Sequence, residues 1–220
     1  MTGVFPEVVF TIFGIPIRDT VVSTWMMMAI ILICAAIINK LQPVLLEMLV
    51  DFLADTFTNV MGTSSMPYMP ILGSLAIFIA FANIISVVPG ITSPTKDINT
   101  PLALALVVFF SVHYYGIQQK GIWGYIKDLA SPVFLLPLEL IGQLSRTLSL
   151  TLRLFGNVIS GEMIVAIIFT LIPLFLPLPM IGLGIFTGLL QAYIFTILAS
   201  TYIGAAVESV GASSESDFVE

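Results

Sequence analysis

Four charged side chains interrupt a run that is otherwise apolar. Glu139, Arg146, Arg153 and Glu162 lie between Phe134 and Leu171, among Leu, Ile, Val and Phe. On insertion scales a charge at the bilayer centre costs roughly 2.5–3.5 kcal/mol, so such residues face a partner, a cavity or an ion pathway. Glu139, Arg146 and Arg153 recur every seven residues. At about 100° per residue, a helix keeps them within about 40° of one another. Ser149, Asn157 and Ser160 extend the same stripe, at offsets of −4, +4 and +7 from Arg153. Glu162 is nine residues beyond Arg153, which turns it about 180° away. One helix thus carries a cationic polar stripe on one face and a single carboxylate on the other.

The stripe also admits a structural reading. Glu139 and Arg146 can form an ion pair near a helix end, and Arg153 can snorkel to the interface. Arg153, however, sits amid Leu150, Leu152, Leu154 and Phe155, with no acid within one helical turn. Its guanidinium stays charged at any physiological pH. It is expected to meet a carboxylate from elsewhere. Further along, Gln191 shares a face with Gly184 and Gly188, at offsets of −7 and −3. Small residues there let another helix come close, and ordinary packing with Gln191 bonded to a neighbour would use the same pattern.

Other chemistry has few residues to work with. Cys34 is the single cysteine and His113 the single histidine. There is no internal disulfide, redox pair or HExxH zinc site. No phosphate loop or GxGxxG occurs. No cofactor and no metal site are expected.

These residues need elements to hold them. Of 220 residues, 58% are hydrophobic and 9% charged, against about 25% charged in a soluble domain. That excludes a soluble globular enzyme and a disordered linker. Lys+Arg 7 against Asp+Glu 13 gives −6, the wrong sign for a nucleic-acid partner. The expected fold is an all-α polytopic membrane protein, one domain over 1–220, with five membrane-embedded helices and one amphipathic interfacial helix. Residues 1–19 form an outside segment, irregular because Phe5-Pro6, Gly14 and Pro16 break it, and not read as a signal peptide. Span 1 covers 20–40. Residues 41–61 form the interfacial helix, with Glu47, Asp51 and Asp55 every four residues and Leu45, Leu46, Leu49, Phe52 and Leu53 opposite. Spans 2 and 3 cover 68–89 and 100–119, with Trp123, Tyr125, Lys127 and Asp128 as an interfacial anchor. The long charged helix is 134–171 and the last helix 180–208, separated by Pro173, Pro177 and Pro179. An acidic tail, 209–220, follows. The positive-inside rule puts Lys40, Lys120 and Lys127 in the cytoplasm, opposite Arg18 and Lys96, with the N-terminus outside and the C-terminus inside.

Ser149-Leu-Thr-Leu-Arg153-Leu-Phe-Gly-Asn157, followed by Ser160-Gly-Glu162, resembles the signature of subunit a, the stator ion-channel subunit of rotary F-type ATP synthases. Gln191-Ala-Tyr-Ile-Phe leading into Tyr202-Ile-Gly resembles that family's last helix, and Asp97-Ile-Asn99-Thr100-Pro101-Leu also fits. Glu139, fourteen residues before Arg153, matches a carboxylate common in bacterial members. The resemblance implies ion translocation through two offset half-channels beside a rotating c-ring, with the proton as expected ion and sodium as the alternative. It implies a last helix pair tilted as a hairpin against that ring. Arg153 would face the ring, with Gln191 beside it. Asn157 and Glu162 would belong to one half-channel, and Glu139 to the other or its mouth. Asn83, Asn99, Ser149 and Ser160 are candidates for an access path. In some members a histidine stands at the position of Gly184, facing that of Glu162, so here water or other polar groups must support Glu162. The implied partners are c-ring proteolipids, peripheral-stalk b subunits, the remaining ATP synthase subunits and the bilayer of a bacterial plasma membrane. No catalytic site is expected on this chain. A stand-alone transporter of an anionic substrate would use Arg153 differently, but the chain lacks the repeat symmetry common in such transporters. An intramembrane enzyme lacks its constellation of groups.

Overall fold

The computed structural model describes residues 8–12, 15–85, 93–129, 136–171 and 177–208. The acidic tail, the Pro89-Gly90 end of span 2, residues 134–135 and Pro173 lie outside the described residues.

The N-terminal segment is more regular than its breakers suggested. Strands β1 (Val8–Ile12) and β2 (Ile15–Arg18) pair antiparallel, with Thr11 opposite Pro16 and Ile12 opposite Ile15. Their β-branched residues favour the extended backbone. In a two-stranded ribbon both strands are edges, so Pro16 can sit without breaking a ladder.

Helix α1 (Asp19–Leu41) begins directly after β2, with Asp19 in its first turn and Lys40 in its last, each favourable for the helix dipole. Helix α2 (Pro43–Met61) opens on Pro43, whose missing N–H has no acceptor to lose there. It closes on Gly62 at φ 69°, whose N–H reaches the Thr58 carbonyl at 2.9 Å. Only glycine adopts that left-handed cap without strain. Glu47, Asp51 and Asp55 on α2 are exposed, whereas Ala54, Phe57 and Met61 are buried.

A 3-10 turn (Met66–Tyr68) leads into α3 (Met69–Ile85), and a second one (Pro94–Lys96) into α4 (Asn99–Leu129). Helix α4 bends at Gly121, at φ 70° and ψ 163°. Tyr125 beyond the bend lies against Gly116, where an added Cβ would come within 2.6 Å of the tyrosine ring. The single histidine, His113, is packed in this corner against Phe109 and Tyr125.

Helix α5 (Leu136–Leu171) has 36 residues and α6 (Pro177–Glu208) has 32. At 1.5 Å per residue α5 is about 54 Å long, well beyond a hydrocarbon layer of about 30 Å. Helix α6 starts three residues earlier than the prolines suggested. Pro177 and Pro179 occupy its first turn, where no N–H of the helix has an intrahelical acceptor.

Five of the helical stretches, Asp19–Leu41, Met66–Ile85, Asn99–Tyr125, Leu136–Leu171 and Pro177–Val207, are long and apolar enough to cross a bilayer. The chain is an all-α polytopic membrane protein fronted by a small hairpin. Helix α6 is the hub and packs on α2, α3, α4 and α5. The core gathers Phe57, Leu72, Ile79, Val108, Leu154 and Phe195 from these helices. Helix α1 leaves Leu32, Ile33 and Ile37 exposed, as suits a lipid-facing span.

Candidate functional site

The site residues divide between two halves of α5. On the helix face that meets α4 and α6, Leu150, Thr151, Leu154 and Val158 are buried. Arg153, Ser149 and Ser160 fall off the edge of that face and are exposed. Among the described residues, Arg153 makes no hydrogen bond and no ion pair. Its neighbours in sequence, Leu152 and Leu154, are exposed and buried respectively. The guanidinium therefore projects sideways from the bundle instead of into it.

Toward the helix start the stripe is partly paired within the chain. Arg146 reaches Glu139 at 4.0 Å, a loose contact between two half-exposed groups that contributes little. The Arg146 guanidinium also lies over the Tyr202 ring, 5.4 Å from its centroid, within cation–π range. Gln143 donates to Glu139 at 3.4 Å, and its own Oε1 is buried without a partner.

Toward the helix end the polar groups are drawn inward. Asn157 sits on the shoulder of the buried face and its amide donates to the Thr187 carbonyl of α6 at 3.4 Å. Ser160 donates back to the Asn157 carbonyl at 3.2 Å. Glu162, on the opposite shoulder, meets the Lys96 ammonium at 3.2 Å. The carboxylate that the sequence showed alone on its face thus has a cation from the turn before α4. That turn is pinned on every side. Ser93 donates to the Ala82 carbonyl at 3.2 Å and shares a hydrogen bond with Thr95. Thr95 donates to Asn83 Oδ1 at 3.4 Å. Asp97 accepts from the Asn99 amide at 2.9 Å and from Arg18 at 2.7 Å.

Asn83, 3% exposed, donates to the Gly188 carbonyl at 2.8 Å. A carbonyl has two lone pairs, so this bond need not displace the helical one. Gly188 makes the approach possible, since a Cβ there would lie 2.8 Å from the Asn83 Cβ. Gly184, one turn earlier on α6, would have nothing among the described residues within 4 Å of an added Cβ. Gln191 is buried, and its Nε2 has no hydrogen-bond partner. No hydrogen bond joins it to Arg153.

The structure therefore brings Asn83, Asn157 and Glu162 into one region around α6 and the Ser93–Asn99 turn. Asn99 joins that region through Asp97 but is itself exposed. Arg153, Ser149, Glu139 and Gln191 do not enter it. Sequence reasoning missed Lys96, Thr95, Asp97 with Arg18, Gln143, Thr187 and Tyr202 as partners. In the sequence Lys96 figures as a topology charge, set with Arg18 opposite Lys40, Lys120 and Lys127.

Five long apolar helices, with a guanidinium on an apolar flank of one and a polar cluster displaced along it, define a polytopic membrane protein. The family model described as ATP synthase A chain matches residues 21–204, and the chain belongs to that family. It is 44% identical over 209 residues to ATP synthase subunit a 2 of Bradyrhizobium sp., covering 91% of this chain and 94% of that one. It is 43% identical over 200 residues to ATP synthase subunit a 2 of Picosynechococcus sp., covering 86% of each. ATP synthase subunit a of Albidiferax ferrireducens is 37% identical over 211 residues, 91% of each.

Proposed function

We propose that the chain is the stator ion-channel subunit of an ATP synthase and passes protons between two offset half-channels beside a ring of c proteolipids. It has no catalytic site of its own, and ATP chemistry takes place on other subunits. The observation that carries this reading is Arg153: charged, exposed on an apolar flank of α5, and without an acidic partner among the described residues. A ring carboxylate can travel through lipid only when neutralised by an ion. Facing Arg153 it can ionise, because an opposite charge within about 4–6 Å favours the charged form. The permanent cation then bars the short leak between the half-channels. The ion must take the long way round on the ring, and the ion-motive force becomes rotation. One charge moved through 100 mV supplies about 2.3 kcal/mol.

In this reading Gln191 lies next to Arg153 across the α5–α6 contact. Asn157 and Glu162, with Asn83, Asn99 and Ser160, serve the outer access path. Glu139 and Ser149 serve the inner one. The chain sits in a bacterial plasma membrane with its N-terminus outside, bound to peripheral-stalk b subunits and the rest of the complex. Arg18 and Lys96 share one end of the bundle with Glu162, which supports a single outer end for these three groups.

The test is ATP-driven ion uptake into inverted membrane vesicles, comparing wild type with Arg153→Ala, with and without sodium and a protonophore. Uptake is expected to vanish in the variant while the complex still assembles. Retained uptake would make the arginine structural and turn attention to an anionic substrate. Collapse by the protonophore without sodium dependence identifies the proton.

A further inference from the structure

Glu162 is half-sunk in the bundle, with 32% of its side chain exposed, and Lys96 is deeper, at 9%. Among the described residues Lys96 is the only hydrogen-bond or ion-pair partner that Glu162 has. No side chain comes to it from Gly184. The ammonium, by contrast, is delivered by a backbone that cannot wander. The Lys96 N–H bonds to the Ser93 carbonyl at 3.2 Å, and Thr100 closes on the Asp97 carbonyl at 3.0 Å. Ser93 and Thr95 tie the turn to α3, and Asp97 ties it to Arg18 at the start of α1. The turn packs against α1, α3, α4 and α5. A lysine stem is flexible and loses much rotamer freedom when fixed. Here that freedom is removed by burial, and the charge it fixes lies against the Glu162 carboxylate.

We propose that Lys96 is a positioning residue for ion translocation: it holds the Glu162 carboxylate in place along the access path. This rests on the ion-channel reading above and adds a residue to it. An arriving cation meets a carboxylate held in one place by an ammonium and competes with that ammonium for it. Without Lys96 the carboxylate has no partner among the described residues and samples several rotamers.

The whole complex in inverted vesicles provides the test, with uptake normalised to assembled c-ring content. Acridine-dye quenching in sodium-free buffer reads protons, and radioactive sodium reads the alternative ion. Lys96→Met keeps the stem and removes the charge, and is expected to lower uptake per complex about tenfold, the lower end of what losing a partner that orients a functional group costs. Lys96→Arg should retain most of it. Lys96→Cys, in a Cys34→Ala background, should be restored by 2-aminoethyl methanethiosulfonate, which adds an ammonium through a mixed disulfide. The neutral methyl methanethiosulfonate should not restore it. A purely structural bridge would not respond to charge added after assembly. Wild-type uptake in Lys96→Met, equal rescue by the neutral reagent, or failure of both the Met and Cys variants to assemble would each overturn the proposal. Arg153→Ala is run alongside. Its retained uptake would sink the channel reading itself, whereas its loss with an indifferent Lys96 sinks only this inference.

Discussion

Arg153 and Glu162 stand nine residues apart on one helix and are treated in opposite ways. Around Glu162 the chain answers its own charge. A lysine from the turn before α4 and a carbonyl from α6 meet polar side chains of that half of α5, and an asparagine of α3 bonds α6 beside them. Around Arg153 the described residues supply no hydrogen bond and no ion pair. Internal satisfaction is what a pathway wall requires, because its polar groups must remain stable while no ion is present. In the proposed function an unanswered cation suits a moving partner, because the matching carboxylate must arrive and leave. Under the proposed function, the difference gives one region to the subunit alone and the other to the subunit together with its neighbour.

The largest effect that separates the two regions is the loss of uptake in Arg153→Ala. Next is Gly188→Leu, which tests whether the Glu162 half depends on helix contact. A Cβ at Gly188 already meets the Asn83 Cβ at 2.8 Å, so leucine must push α3 off α6. Overpacking of this kind costs roughly 1–3 kcal/mol or more. The expected outcome is a reduced yield of assembled complex, read by co-purification of the c-ring in mild detergent. A normal yield would mean that the Asn83–Gly188 contact is not part of what holds the bundle.

Glu162→Gln should be milder than Arg153→Ala. The amide keeps the shape and can still accept from Lys96, and water can take over part of the path. Uptake should fall severalfold without vanishing, with assembly unchanged. A wild-type rate would reduce Glu162 to packing. Complete loss would put it on a par with Arg153 and erase the contrast between answered and unanswered charge.

Much of this contrast could be read from the residues alone, and the unread part has a physical cause. Apolar runs punctuated by Pro and Gly mark the helices, because span length and helix breaking are local properties. Arg153 stands out for the same reason: its lack of an acid within one turn is visible in the sequence. The partners of Glu162 and Asn83 are not visible. Asn83 and Gly188 are 105 residues apart, and neither has a periodicity that points to the other. Lys96 reads as a solvated loop charge until Ser93, Thr95 and Asp97 are seen to fasten its turn into the bundle. The strands β1 and β2 were hidden by breakers whose effect depends on context: a proline that would break a central strand is harmless in a two-stranded ribbon. Pro177 and Pro179 behave in the same way, since their position in the first turn of α6 removes their penalty.

The smallest effect refines the comparison along α6. Gly184 and Gly188 are four residues apart and nearly in line, yet only Gly188 is filled by a neighbour. Among the described residues, Gly184→Ala meets no atom, and replacing a mid-helix glycine should stabilise α6 by roughly 0.5–1 kcal/mol. The complex should therefore survive heating in detergent slightly better, with uptake unchanged. If the alanine instead lowers uptake or assembly, the space beside Gly184 is occupied in the whole complex by something this chain does not contribute. The boundary between the self-satisfied half of the subunit and the half completed by a partner would then lie closer to Glu162 than to Arg153.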